Sequence, residues 1–307
     1  MTTDPAQKTP GARPLRYELR NRYIFKGTLE MTTGLHVGGG KATLSHTDSP
    51  VVLTPEGLPF IPGSSLKGVL RSTIEKFVAS LPADLGLRSC GLPTEKDDDT
   101  LDDNYTGKDC PTAHQKWIAR ERREDPQRAQ DIIELARENL CHTCQLFGSP
   151  FAAGRIRIND LYLDAWSGAT QIRDGVAIDR DKETARPGAK YDFEVVPSTS
   201  AFSMYMLVEN ATAQDLQLLS IGLSEFTSGF SGIGGLRSRG LGACILKDLE
   251  IRALELAKLD EAARKQRLLR YLLRKKDGTE DGLDPIDAQT FFNEHITALF
   301  QETPANS

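Results

Sequence analysis

Apolar and polar positions alternate with two different periods along this chain of 307 residues, and the places where the period changes mark its elements. Residues 17–33 read as a strand, with Phe25, Gly27, Leu29 and Met31 alternating with Lys26, Thr28 and Glu30. The strand runs into a glycine-rich turn, Gly34-Leu-His-Val-Gly-Gly-Gly40. Leu66, Val69, Leu70, Thr73, Ile74, Phe77 and Leu81 then recur at helical spacing. They predict a helix that opens at Pro62-Gly-Ser-Ser, with Ser64 or Ser65 as its cap. A second helix is predicted over 126–140, capped by Asp125 and opened by Pro126, with Ala129, Ile132, Ile133, Ala136 and Leu140 as its stripe. Residues 155–163 and 194–208 read as strands, the second with Phe202, Met204, Met206 and Val208 on one face. Residues 177–185 form a polar loop between them, and 212–226 a helix. Two more helices follow at 260–276 and 284–300, the last with Phe292, Ile296, Leu299 and Phe300 as its stripe.

In this order the elements read β–α–insertion–β–β–α–β. The pattern predicts an α+β protein: a ferredoxin-like (RRM-like) antiparallel sheet core with helices on one face. The expected organisation is a disordered N-terminus over 1–15, one domain over 16–250 with an insertion at about 82–144, and a helical extension over 251–307. No RNP-type aromatic block stands on the predicted strands, so any RNA binding would come from loops and a helix start.

Composition narrows the function classes. The net charge of −5 excludes a uniformly basic nucleic-acid binder but leaves room for a local basic groove. No run is apolar enough to span a membrane, and MTTDPAQKTPGARP lacks a signal-peptide core, so a cytoplasmic protein is expected. Glu95, Asp97, Asp98, Asp99, Asp102, Asp103 and Asp109 make an acidic stretch whose spacing fits no EF-hand and which reads as a solvated loop. Without an export signal, the five cysteines point to metal rather than disulfides. Cys141-His-Thr-Cys144 offers two thiolates from one turn, and Cys90 and Cys110 would complete a tetrahedral structural zinc, with His114 or His142 as substitutes for one ligand. Cys244 lies in an apolar strand and reads as core.

Three groups of residues carry candidate chemistry. The first is the predicted helix start, where Ser64, Ser65, Lys67 and Arg71 beside free N–H groups would make a phosphate seat. The second is the turn holding His36 and Gly39, followed by a polar loop with His46 and Asp48; an Asp before Ser-Pro is also a common turn residue. The third is residues 232–242, with five glycines, among them Gly234 and Gly235, and two cations, Arg237 and Arg239. There the backbone can approach RNA while guanidiniums grip phosphates. A dinucleotide-binding loop is excluded at that place, because the stretch follows a helix and precedes a strand. The basic helix at 260–276 is a solvated face or a contact for RNA or another subunit.

The blocks GLHVGGG, DSPVV, GLPFIPGSSLKGVLR, CQLFGSPFAAGRIRINDLYL, AIDRDKETARPGAKYDFEVVP and GIGGLRSRGLG, in that order, resemble the RAMP (repeat-associated mysterious protein) superfamily. More narrowly, the chain is similar over about 17–249 to the backbone subunits of type III CRISPR effectors of the Csm and Cmr kind. The resemblance implies a thumb-like loop after the polar segment, a zinc-binding insertion before the Cys-x-x-Cys block, and glycine-rich loops that face a guide CRISPR RNA. It implies that Arg180 lies in the guide-contacting region. It also implies that Asp48 matches the acid needed for target RNA cleavage in active Csm-type subunits. A carboxylate is a weak base at neutral pH, so Asp48 would act at least in part as a ligand for Mg²⁺ or another divalent cation. The implied partners are guide RNA, target RNA, further RAMP subunits and other proteins of a multisubunit complex, with no membrane. Two alternatives stay open: a guide-holding scaffold with Asp48 idle, and a guide-precursor endoribonuclease with His36 or His46 as base.

Overall fold

The computed structural model of the chain describes residues 18–39, 47–91, 110–125, 127, 133, 138–166, 168–179, 181–273 and 282–301. The predicted alternation appears in β1 (Asn21–Met31), which turns Tyr23, Phe25, Leu29 and Met31 into the core. The chain then crosses to α1 (Gly63–Ser80), where Leu66, Leu70, Ile74 and Val78 recur at every fourth position and are all buried. Next come α2 (Gln115–Glu124) and the short α3 (His142–Phe147). A two-residue ladder of β2 (Gly148–Ser149) and β3 (Ala152–Ala153) leads to β4 (Ile156–Ile158) and β5 (Leu163–Ala165). β6 (Gln171–Asp179) and β7 (Thr184–Val195) form a separate hairpin, and β8 (Ala201–Glu209) returns to the main sheet. α4 (Ala213–Thr227) and β9 (Cys244–Glu255) follow, and then α5 (Glu261–Leu272), β10 (Asp284–Ile286) and α6 (Ala288–Phe300).

The main sheet has the order β10-β9-β1-β8-β4, every neighbour antiparallel, with β5 also on β8. Phe25 at its centre stands opposite Met206 of β8 and Ile251 of β9. With α1 after β1 and α4 before β9, the order β9-β1-β8-β4 is the ferredoxin-like arrangement that the sequence pattern predicts. Phe202, Met204, Met206 and Val208 share the buried face of β8 and join Leu66, Leu70 and Leu219 in one core. Truncating a wholly buried phenylalanine such as Phe25 costs about 3–5 kcal/mol, because a cavity is left behind. Among the described residues no helix is long and apolar enough to cross a membrane.

Several boundaries differ from the sequence pattern, each for a physical reason. The strand expected over 194–208 breaks between β7 and β8. Pro197 has no N–H to donate there, and Thr199 takes a φ of +69°. The strand expected over 155–163 splits into β4 and β5, because Leu161 pairs with Ile61 through bonds of 2.8 and 3.0 Å instead of continuing along β8. The polar loop expected at 177–185 is the end of the β6–β7 hairpin, with its turn at 181–183. The N-terminal 1–15, the acidic stretch at 95–109 and most of the helix predicted at 126–140 lie outside the described residues.

The C-terminal extension is not a separate layer. β9 runs to Glu255, past the boundary expected at 250, and β10 pairs with its far half. α6 places Phe291, Phe292 and Leu299 in the main core. α5 lies over a second cluster, in which Tyr271 packs with Leu254, Leu256 and Leu283 and against Ile24. The Arg22 guanidinium sits 5.6 Å from the centre of the Tyr271 ring.

Candidate nucleic-acid interface

The start of α1 is built differently from the phosphate seat that its sequence suggests. Neither Ser64 nor Ser65 caps it. The Gly63 N–H donates instead to Asp160 Oδ1 at 2.8 Å, and the Ser65 N–H turns back to the Pro62 carbonyl at 2.8 Å. Gly63 is required because a Cβ there would lie 2.4 Å from the Ile158 carbonyl oxygen. The helix start therefore already holds an anion of the chain's own. Lys67 is half-buried, and burial, together with the nearby Arg71 charge, lowers its ammonium pKa. Arg71 is turned away from the helix start. Its guanidinium donates to Glu75 at 2.8 Å, to the Gly148 carbonyl at 3.1 Å and to Cys144 Sγ at 3.4 Å.

That last contact leads to the cysteines. The sulfurs of Cys90, Cys110, Cys141 and Cys144 all lie within 4.8 Å of one another, and Cys90 and Cys144 are 3.6 Å apart. Four Zn–S bonds of about 2.3 Å in a tetrahedron put sulfurs about 3.8 Å apart, so the set fits a four-thiolate metal ion. The Cys141 N–H donates to Cys110 Sγ at 3.4 Å, and hydrogen bonds among the four sulfurs hold the Cys141 thiol pKa down and push those of Cys90 and Cys144 up, so the thiols share their protons as one group. Neither His114 nor His142 joins this group. His142 Nδ1 accepts the Arg88 N–H at 3.0 Å, and burial lowers its pKa, so it is held neutral as a strut. Cys244 is buried away from this cluster, as its apolar strand predicts, and burial pushes its thiol pKa up to about 12.

The two glycine-rich segments, 34–39 and 232–242, meet directly. The Gly235 N–H donates to the His36 carbonyl at 2.8 Å, and the Gly242 N–H donates to the Gly34 carbonyl at 2.8 Å. Gly234 has a φ of +87°, and a Cβ on it would lie 2.4 Å from the His36 carbonyl oxygen, so only glycine permits this approach. Gly39 packs less closely, with its added Cβ 3.0 Å from the Val51 carbonyl oxygen. Arg237 and Arg239 are exposed on this loop. Arg237 Nη1 donates to the Gly232 carbonyl at 3.2 Å, and Arg239 reaches the Tyr191 hydroxyl on β7. Arg173 of β6, which the sequence reading did not single out, brings its guanidinium close to Gly34.

β7 joins these loops to Asp48. His36 is buried, its Nδ1 donates to the Glu194 carbonyl at 2.7 Å, and its Nε2 lies 3.3 Å from Ser49 Oγ. With Nδ1 as the donor, Nε2 is the acceptor for the serine hydroxyl. Both ring nitrogens are thus engaged, and His36 acts as a brace between the turn, β7 and the segment that carries Asp48. Asp48 is exposed on a bend, where its N–H donates to Asp192 Oδ1 at 2.7 Å and its Oδ2 accepts the Asp192 N–H at 3.1 Å. The Glu194 carboxylate fixes the next turn of chain by accepting the Val51 N–H at 3.0 Å and the Thr170 hydroxyl at 2.5 Å. Asp192 and Glu194 were missed in the sequence because they read as ordinary polar positions of a strand. Arg180 and His46 lie outside the described residues.

The chain is similar in sequence to known proteins. The sequence profile of the RAMP superfamily matches residues 28–245. A protein of Methanocaldococcus jannaschii named CRISPR system Cms endoribonuclease Csm3 is 25% identical over 253 residues, which span 76% of this chain and 82% of that protein. Proteins of the same name are 48% identical over 59 residues in Enterococcus italicus and 42% identical over 67 residues in Streptococcus thermophilus. Those matches cover 28% and 30% of their lengths and 18% and 20% of this chain.

Proposed function

Given that this chain belongs to the RAMP superfamily, we propose that it is a backbone subunit of a type III CRISPR effector that holds guide RNA and cleaves complementary target RNA through Asp48. The observation that carries this reading is the convergence on β7 of Asp48 with both glycine-rich loops. The similarity to proteins named as CRISPR endoribonucleases supports the cleavage step. The subunit works in the cytoplasm beside further RAMP subunits.

Guide RNA is held along the joined loops, where Gly39, Gly234 and Gly235 let backbone come close and Arg237 and Arg239 meet phosphates. Such contacts are indifferent to sequence, and base pairing with the guide selects the target. Arg180 is assigned to the guide's path by resemblance, whereas Arg71 is committed to Glu75, Gly148 and Cys144.

Cleavage proceeds by in-line attack of a ribose 2′-oxygen on the adjacent phosphorus. The 2′-O–P bond forms and the P–O5′ bond breaks; a proton leaves the 2′-hydroxyl and another reaches the departing 5′-oxygen. Asp48 Oδ2 is committed to the Asp192 N–H, which leaves Oδ1 facing solvent to orient or deprotonate the 2′-hydroxyl. The hard carboxylate oxygens of Asp48 fit a divalent cation, which Asp48 would help hold at the phosphate and which would supply charge stabilisation there. We assign a structural zinc to Cys90, Cys110, Cys141 and Cys144, because four thiolates leave no open coordination position.

The test is cleavage of matched target RNA by the guide-loaded complex, wild type against Asp48→Ala, with Mg²⁺ and with EDTA, and with target affinity measured alongside. Lost cleavage at unchanged affinity is the expected result. Undiminished cleavage by Asp48→Ala would move the chemistry elsewhere and leave this subunit a guide-holding scaffold. Undiminished cleavage in EDTA would remove the cation.

A further inference from the structure

We infer that Asp192 is the positioning residue for Asp48, a role that rests on the reading of Asp48 as the catalytic carboxylate. The two aspartates make a reciprocal clasp between the polar segment and β7. The Asp48 N–H donates to Asp192 Oδ1 at 2.7 Å, and the Asp192 N–H donates to Asp48 Oδ2 at 3.1 Å. The first bond fixes the main chain at residue 48, and the second fixes the direction of its carboxylate. Asp48 stands on an exposed bend, so these two bonds supply the order that burial supplies elsewhere.

The clasp is the first in a row of attachments. The Glu194 N–H donates to the Ser49 carbonyl at 3.0 Å, and the Glu194 carboxylate accepts the Val51 N–H at 3.0 Å. His36 braces Ser49 from the other side, through Nε2 at 3.3 Å from its hydroxyl. Residues 49–51 therefore stay attached to β7 if Asp192 is lost, and only the stitch at residue 48 opens. That separates positioning from folding.

The chemistry of the clasp sets its specificity. Two carboxylates side by side repel, but here each accepts a backbone N–H belonging to the other residue, and it is the acceptor oxygen that does this, not the charge. An amide oxygen serves as well. Asp192→Asn keeps Oδ1 and removes one negative charge, whereas Asp192→Ala removes the acceptor.

The experiment uses the guide-loaded complex and separates the rate from the affinity. Single-turnover cleavage and target Kd are measured for wild type, Asp192→Ala, Asp192→Asn and Asp48→Ala. We expect Asp192→Ala to slow cleavage by about 10- to 100-fold at unchanged Kd, and Asp192→Asn to stay within about threefold of wild type, since an ångström of misplacement costs up to about 100-fold. An Asp192→Ala rate equal to wild type would overturn the assignment. So would an Asp192→Asn rate as low as that of alanine, which would make the charge itself the requirement, or a Kd that weakens in step with the rate. Wild-type cleavage by Asp48→Ala would sink the underlying reading, and the clasp with it, and would be told apart because the Asp48 variant alone reports it. Should Asp192→Ala fail to assemble, hydrogen exchange of the full-length chain decides. The residue 48 amide must lose protection in Asp192→Ala and keep it in Asp192→Asn, and equal protection in both would overturn the clasp.

Discussion

Replacing Gly234 with alanine tests whether the two glycine-rich segments depend on close backbone approach. An alanine at φ of +87° is strained, and its Cβ would lie 2.4 Å from the His36 carbonyl oxygen. The left-handed backbone alone costs about 1–2 kcal/mol. The carbonyl must also retreat by roughly 1 Å to reach van der Waals contact, which breaks the bond it accepts from the Gly235 N–H and costs about another 1 kcal/mol. That bond is 2.8 Å long. We expect Gly234→Ala to destabilise the chain by about 2–3 kcal/mol. Gly240 supplies the control, because its φ is +83° while nothing lies within 4 Å of its added Cβ. Gly240→Ala therefore meets strain alone, about 1–2 kcal/mol. Urea denaturation reads both losses from the midpoint shift at constant slope. Guide-RNA affinity should fall further for Gly234→Ala than for Gly240→Ala. Equal losses of stability at the two sites, or none at Gly234, would refute the argument that the close approach to His36 is what demands glycine.

The remaining expectations concern charge and metal. Arg237→Ala and Arg239→Ala should each weaken guide binding to every sequence alike and lower the slope of log affinity against log salt by about 1, read from a salt titration; a sequence-dependent loss would count against phosphate contact. Arg71→Leu should cost about 2–4 kcal/mol in denaturation while leaving guide affinity unchanged. Its guanidinium and the Glu75 carboxylate are only 15% and 11% exposed, and its contacts run to the cysteine cluster. A fall in affinity without a loss of stability would return Arg71 to the phosphate seat. Purified chain should carry about one zinc by elemental analysis. Chelation, or acidification that protonates the thiolates, should release the metal and expose the segments around Cys90, Cys110 and Cys141 to protease, with Cys144→Ser doing the same.

Local periodicity made the scaffold legible. The stripe through Leu66, Leu70 and Ile74 locates α1, although Phe77 at its end is exposed and Val78 takes the buried place, and the alternation around Phe25 and Met204 locates strands that line the core. The four cysteines were readable because thiolate chemistry narrows their use, even with Cys90 and Cys144 far apart in the chain. What could not be read was the choice of partner across long separations. The cap of α1 comes from Asp160, and no rule about the residues next to Gly63 could find it. Arg71 has helical neighbours that suggest a phosphate contact, yet the fold brings Gly148 and Cys144 within its reach. Asp192 and Glu194 alternate with Tyr191 and Phe193 as any edge strand would, and their importance appears only when the segment from Asp48 to Val51 is laid beside β7. β10 is three residues long and contains Pro285, so no strand signal marks it.

The outermost strands of the main sheet have a consequence for how copies of this chain could stand side by side. β1, β8 and β9 are 11, 9 and 12 residues long, but the strands that flank them, β10 on one side and β4 with β5 on the other, have three residues each. β4 and β5 between them pair with both halves of β8, but β10 pairs only with Ile251, Arg252 and Ala253 of β9, so among the described residues the outer side of 244–250 in β9 has no strand partner. A second copy that paired through its backbone would therefore meet β9 along that half, whereas the far half is already closed by the chain's own C-terminal extension.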